Sequence, residues 1–363
     1  MGCSLTLGEC LSTIIDHRGL TPKKLGGDWS DTGYRAISAK HIKSGNLVQQ
    51  TTMNHVCKEM YRRWMPEEVE RGSIFITSEA PFGEVLYWDS DEKVVLSQRI
   101  FGLKTDPAIC DSRYLYYWMT GPLFQDELRG RATGTTVTGL RQPELLKCSV
   151  RLPSLDEQHS IANILGSLDS AIICNRRTND YLAQLLAARY SLFLFESNKT
   201  VALNDVVNIL SGGTPKTKQS EYWNGGSIPF FAPGDANESI YTLTTEKHIT
   251  ELGLNNCNSD LFPIETVFLT ARGTVGKVAM AGRPMAMNQS CFAFTGKDVP
   301  QSVVYQIIKN AVHSLKSKAN GATFAAINTR DLKAEEVPIP SGKGMRTISW
   351  TGLSLSLIHI SEP

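Results

Sequence analysis

Phe75-Ile76-Thr77 followed by Gly83 recurs as Phe268-Leu269-Thr270 followed by Gly276, 193 residues later. The same offset carries Thr21-Pro22-Lys23 onto Thr214-Pro215-Lys216. Gln98 and Phe101 match Gln289 and Phe292 at an offset of 191. Gly134-Thr135-Thr136-Val137 matches Gly321-Ala322-Thr323-Phe324, and Val150-Arg151-Leu152-Pro153 matches Val337-Pro338-Ile339-Pro340, both at 187. The matches keep their order while the offset drifts by only six residues, which chance does not produce. The period is far longer than the ~20–45 residues of a stacked solenoid repeat, so each copy is a whole domain.

Within each copy, Gly72-Ser-Ile-Phe-Ile-Thr and Ile264-Glu-Thr-Val-Phe-Leu-Thr read as strands, being short, β-branched and aromatic. Gly212-Gly213-Thr214-Pro215 and Asn224-Gly225-Gly226 read as loops. Residues 112–128 and 303–318 read as helices in corresponding places. The expected fold class is α+β, duplicated.

The stretch between the copies, residues 156–197, is of another kind. It contains no Pro and only Gly166. Asp156 and Glu157 suit a helix N-terminus because they complement its dipole. Ile161, Leu165, Leu168, Ile172, Asn175, Asn179, Leu182, Leu186, Arg189 and Phe193 are spaced alternately by four and three, a coiled-coil seam with a polar centre. The competing reading is a long core helix. Against it, Asn175 and Asn179 would be costly in a dry core, yet such residues fix register between paired helices. About forty residues of helix span roughly 60 Å. The domain reading is therefore 1–153, a spacer helix over 154–198, 199–340, and a tail over 341–363.

Composition excludes several classes. Hydrophobic residues are 41% and charged residues 20% of 363, a globular balance. Lys plus Arg is 37 against 36 Asp plus Glu, so any nucleic-acid site must be a local patch rather than a global excess. Eight cysteines include no CxxC pair and no Cys or His at zinc-finger spacing, so they read as reduced thiols of a cytoplasmic protein, with no metal expected. The N-terminus has no basic run before an apolar core, and the most apolar stretch, 181–195, is broken by Gln184 and Arg189. Gly273-Thr-Val-Gly276-Lys277-Val278 has two residues between its glycines where a phosphate loop needs four, and a Val where it needs Ser or Thr; it reads as a turn between strands. Asp106-Pro107-Ala108-Ile109 lacks the second Pro and the aromatic of an adenine-methyltransferase loop. No Gly-x-Ser-x-Gly elbow occurs. No catalytic residue and no cofactor is expected.

Several motifs carry a resemblance. Ser211-Gly212-Gly213-Thr214-Pro215-Lys216, with Glu221-Tyr222-Trp223, Gly226, Ile228 and Pro229, resembles the opening loop of the target-recognition domains in specificity subunits of type I restriction–modification systems. Residues 16–23, ending in Thr21-Pro22-Lys23, are a looser version. Leu152-Pro153-Ser154-Leu155-Asp156-Glu157-Gln158, followed by Ile161, Ile164, Leu168 and Asp169, is similar to the run that ends such a domain and enters its long helix. The resemblance covers about residues 5–340. It implies two tandem homologous target-recognition domains, each reading half of a bipartite double-stranded DNA target, separated by a coiled-coil-forming helix that acts as a ruler. It implies a non-catalytic subunit whose partners are methyltransferase subunits, two by the family pattern, docked on the helix, and a restriction/translocase subunit held through them. After Pro340 the family pattern would enter a second Glu-Gln helix, whereas residues 341–363 show no helical stripe. This tail is expected to be foreign to the family pattern, and the unpaired seam to favour self-association.

Reading DNA requires groups for phosphates and groups for base edges. Arg272, Lys277, Arg283 and Lys297 lie in a run, 266–297, without a carboxylate. Arg18, Lys23, Lys24, Lys40 and Lys43 crowd the early loops. The DNA-binding candidates are Arg18, Thr21, Lys23, Lys40, Thr136, Thr214, Lys216, Lys218, Arg272, Lys277, Thr323 and Asn328. Each has an alternative as an ordinary solvated charge or turn former. Two further readings of the whole chain stay open: a recognition subunit of a type II-like restriction–modification enzyme, and a duplicated protein-interaction scaffold without DNA.

Overall fold

The computed structural model describes residues 3–133, 139–197, 199–236, 239–318 and 326–341. They form two compact units that divide between Ala171 and Ile172, inside one helix.

The first unit contains β1 (Cys3–Thr6), β2 (Leu11–Asp16), β3 (Ile74–Thr77), β4 (Val85–Tyr87), β5 (Ile100–Thr105), α1 (Ser112–Thr120), α2 (Pro122–Arg131), β6 (Ser149–Leu152) and the start of α3 (Leu155–Ser197). Its main sheet runs β2-β5-β3-β4, antiparallel throughout. All four residues of β3 are buried, because both faces of the sheet are covered. Ile74 and Ile76 point to one face, with Phe101, Leu115, Phe124 and Leu128. Phe75 points to the other, with Ile37, Val56, Trp64 and Leu86. The period of two along a strand thus sorts one apolar run into two cores. The helix expected over residues 112–128 is two helices. Pro122 at the start of α2 lacks the N–H that a continuous helix would use there, and Gly121 breaks the chain direction.

The second unit repeats the plan. β7 (Lys199–Ala202), β8 (Val207–Ser211), β9 (Val267–Thr270), β10 (Val278–Ala281), β11 (Cys291–Gly296), α4 (Gln301–Lys318), α5 (Thr329–Ala334) and β12 (Glu336–Ile339) follow in order. The sheet runs β8-β11-β9-β10, the order of the first unit, and Tyr241–Thr242 adds a parallel edge beside β10. Val267 and Leu269 pack toward α4, and Phe268 packs with Phe231, Phe262 and Met285.

Each unit closes on itself. β1 pairs with β6, Cys3 opposite Leu152, and β7 pairs with β12, Lys199 opposite Ile339. The first and last strands of each copy are therefore neighbours, and α3 joins one such ribbon to the other along the chain. The architecture is α+β, two homologous domains with a long helix between them.

The Glu-Gln pair at the start of α3 has a physical role in each residue. Glu157 Oε2 accepts from the Ser154 backbone N–H at 3.0 Å and from its hydroxyl at 2.9 Å, a capping box that occupies an otherwise unpaired donor. Gln158, 1% exposed, accepts from the Asp111 N–H at 2.9 Å and donates to the carbonyls of Ile109 and Pro153. Further along, the Tyr117 hydroxyl donates to Asp169 at 2.6 Å, and the Arg113 guanidinium lies over Gly166. In the second unit Leu186 and Tyr190 enter the core, and the Tyr190 hydroxyl donates to Pro338 O at 3.0 Å.

The seam read from the sequence has a mixed fate. Asn179 and Leu186 are buried, Leu165, Ile172, Asn175 and Leu182 half-buried, and Ile161 and Leu168 remain 38% and 56% exposed. Ile164, Tyr181, Leu185, Leu192 and Phe195 are also exposed apolar residues of α3. Among the described residues no helix is long and apolar enough to cross a membrane.

Candidate nucleic-acid interface

The hairpin between β3 and β4 has the same hydrogen bonds as the hairpin between β9 and β10. In the first copy Thr77 N–H donates to Glu84 O, Gly83 N–H to Thr77 O, and Glu84 N–H to the Thr77 hydroxyl, at 2.9, 3.0 and 2.9 Å. In the second, Thr270 N–H donates to Lys277 O, Gly276 N–H to Thr270 O, and Lys277 N–H to the Thr270 hydroxyl, at 3.0, 2.8 and 3.0 Å. Both threonines are fully buried. Gly83 and Gly276 sit at φ 74° and 83°, a region that glycine enters without steric cost. The Gly-Lys pair is thus a strand-to-strand turn. No helix follows it to hold a phosphate, since β10 begins at Val278.

Two further contacts tie each hairpin to its neighbours. Ser78 N–H donates to Arg99 O and Leu140 N–H to Ser78 O; Ala271 N–H donates to Ser290 O and Ile327 N–H to Ala271 O. These bonds equate positions 79 with 272, 84 with 277, 99 with 290 and 141 with 328. On one backbone the charges have moved. The first copy has Glu79, Glu84, Arg99 and Arg141, and the second has Arg272, Lys277, Ser290 and Asn328.

The candidates read from sequence fall into three groups. Lys23 and Lys40 are exposed on short 3-10 turns and Lys216, Lys218 and Arg272 on loops, and the Arg272 side chain makes no hydrogen bond or ion pair among the described residues. Others are engaged with the protein. Arg18 donates to both Asp16 carboxylate oxygens and to Leu140 O, and its guanidinium lies 3.8 Å from the Phe101 ring centroid. Lys277 Nζ donates to Ala236 O at 2.8 Å. Asn328 Oδ1 accepts from the N–H groups of Arg330 and Asp331, capping α5. The Thr214 hydroxyl donates to Gln289 Oε1, and the Thr21 hydroxyl accepts from Lys24 N–H at 3.4 Å. Thr136 and Thr323 lie outside the described residues, as does the tail beyond Ser341. The double glycine before Thr214 is steric: a Cβ on Gly212 would stand 2.3 Å from Met287 O, and one on Gly213 2.5 Å from Asn258 N.

Sequence reasoning missed Glu79, Arg99 and Arg141. They line a cleft of about 400 Å³ with Arg18, Ser78, Thr133, Gly139 and Leu140. Arg99 also lines a second cleft of about 400 Å³, with Trp29, Lys40, His41, Asn54 and Gln98. Aligning the copies at the offset of 193 would have set Glu79 beside Arg272. His41 repays the same comparison. Its Nδ1 accepts from Ser38 N–H at 3.0 Å, as Asp235 Oδ2 accepts from Ala232 N–H at 2.8 Å in the second copy. The second Asp235 oxygen accepts from Glu246 N–H, while His41 Nε2 is buried without a partner. Burial, with the Lys40 charge adding to it, holds His41 below its ordinary pKa of 6.5 and so neutral. Among the described residues no three His, Cys, Asp or Glu side chains gather as a metal site.

Comparison with known proteins agrees with this architecture. The family described as Type I restriction modification DNA specificity domain matches residues 7–184 and 196–344, one match per copy. The chain is 37% identical over 152 residues to the type I restriction enzyme MjaIX specificity subunit of Methanocaldococcus jannaschii, covering 40% of this chain and 35% of that one. It is 25% identical over 146 residues to the EcoR124I/EcoR124II specificity subunit of Escherichia coli, covering 38% of this chain and 36% of that one. These matches span about a third of each relative. The S subunit of a type I restriction–modification system from M. genitalium superposes with a TM-score of 0.58 at 17% identity, over 99% of this chain and 93% of that one, which establishes a shared fold. With two matches that together take up most of its length, the chain belongs to the type I restriction–modification DNA specificity domain family.

Proposed function

We propose that the chain is the DNA-recognition subunit of a type I restriction–modification complex, directing methylation and restriction that partner subunits carry out. The observation that carries this reading is the duplication of one fold on either side of a 43-residue helix, each copy presenting the same hairpin with its own set of charged side chains. Two similar modules with different reading groups suit a bipartite, asymmetric target, since phosphate contacts position a protein and base contacts specify sequence. Arg272, Lys216, Lys218, Lys23 and Lys40 are the exposed groups that meet DNA in this reading, and Arg18, Thr21, Thr136, Thr214, Lys277, Thr323 and Asn328 are the further candidates. The domains run over 1–153 and 199–340, the spacer helix over 154–198.

Methyltransferase subunits, two of them, dock on the helix, and the restriction/translocase subunit joins through them in the cytoplasm. The exposed Ile161, Ile164 and Leu168 support a protein partner on the first half of the helix, because apolar side chains exposed in a row gain by being covered. The test is co-expression of the full chain with the methyltransferase subunit encoded beside it, followed by methylation mapping of genomic DNA. A bipartite adenine-methylated motif is expected. Absence of any motif from an assembled complex refutes the reading.

A further inference from the structure

Building on the DNA-recognition reading, we propose that Glu79 and Arg99 together read one G·C base pair from the major groove, Arg99 taking O6 and N7 of guanine and Glu79 the N4 amine of cytosine. Arg99 Nε lies 3.1 Å from Glu79 Oε1, with the two side chains 49% and 34% exposed. That contact leaves the two terminal nitrogens of Arg99 without a partner among the described residues. The residue itself is set unusually. Its φ is 67°, where a non-glycine residue is found only when its surroundings impose it, and its carbonyl is fixed by Ser78 N–H at 2.8 Å. The imposed backbone sets Arg99 in the wall common to the two clefts.

The chemistry follows from what a base pair presents. In the major groove guanine offers two acceptors and its cytosine one donor. A guanidinium with free terminal N–H groups beside a carboxylate offers two donors and one acceptor in matching order. An A·T pair puts a donor, N6, between its two acceptors and a methyl group beyond, so it does not offer the guanidinium two adjacent acceptors. A pair of reversed polarity presents the donor on the wrong side, so the two residues together distinguish strands as well. The carboxylate also argues against a phosphate role. A lone guanidinium is drawn to the backbone, but one accompanied by Glu79 brings a negative charge toward the phosphate. Glu79 already lies beside the guanidinium before binding, as a partly exposed ion pair at 3.1 Å. The second copy has Arg272 and Ser290 at the matched positions and cannot make this pair.

The full chain would be co-expressed with its methyltransferase partner as wild type, Arg99→Lys, Arg99→Ala and Glu79→Gln, and the methylated motif of each mapped. A wild-type motif establishes recognition independently of the pair; an assembled wild-type complex with no motif fails both. Arg99→Lys and Glu79→Gln are each expected to lower discrimination at one and the same G·C position by about tenfold, with every other position retained. Arg99→Lys keeps charge and bulk, so it reports even where Arg99→Ala fails to fold. An unchanged motif, a uniform loss of methylation over all positions, or relaxation at different positions in the two variants overturns the proposal.

Discussion

At the scale of single residues, the sequence showed which side chains are charged but not which are already occupied. Arg18 and Arg272 look alike on the page, yet three donors of Arg18 are taken by Asp16 and Leu140, while Arg272 stands exposed from its hairpin. That difference sets an expectation. Arg272→Ala should weaken binding to the cognate duplex by about 1–3 kcal/mol if the group reads a base, or flatten the salt dependence by about one unit if it holds a phosphate. Anisotropy titrations over a range of salt separate these cases, and an unaltered curve removes Arg272 from the interface. Histidine protonation gives a second expectation. His41 is held neutral below its ordinary pKa of 6.5, so near that pH the unfolded chain binds more protons than the folded one. Its contribution is therefore present above about pH 6.5 and is lost as the pH falls from there toward the folded pKa. His41→Gln should reduce the drop in melting temperature between pH 8 and pH 5.5; an identical drop assigns the effect to other groups.

At the scale of elements, the strands of the repeat were legible because a run such as Ile74-Phe75-Ile76 is apolar enough to be buried from both sides. The duplication was legible because the same turn chemistry, Thr with a following Gly, had to be kept in each hairpin. The direction of the α3 surface was only partly legible. A regular seam assumes one partner along the whole helix, whereas Gln158 and Gly166 face α1 and its preceding loop, and Leu186 and Tyr190 face the second core. Ile161 and Leu168 on this seam are exposed, whereas Leu186 on the same seam is buried in the second core, so one spacing meets different surroundings along the helix. The start of α3 offers the sharpest test of what fixes it. Gln158→Ala leaves the Asp111 N–H and the Ile109 and Pro153 carbonyls without their buried partner, and should cost about 1–3 kcal/mol in denaturant unfolding. Glu157→Ala, which removes an exposed cap, should cost about 1 kcal/mol or less. Equal costs would mean that capping, rather than the buried amide, sets the helix.

At the scale of the molecule, if α3 spaces the two proposed half-site readers, its length sets the gap between the half-sites in a way no side chain can mimic. A helix advances about 1.5 Å and turns about 100° per residue, whereas a duplex completes a turn in about 34 Å. Twenty-two residues of helix inserted between Ala171 and Ile172 would add about 33 Å and about six full turns. Each module would then keep its facing, and the added length would match about one turn of DNA. The mapped motif should retain both halves while the unspecified gap between them grows by about ten base pairs. An eleven-residue insertion keeps the helix facing but adds only about half a duplex turn, which sets the second half-site on the opposite side of the DNA, and methylation should fail. If instead the gap is indifferent to both insertions, the modules find their half-sites through flexibility and α3 is not what spaces them. If both insertions abolish methylation while the modules still bind duplex in a salt-dependent manner, the helix serves the methyltransferase contact alone.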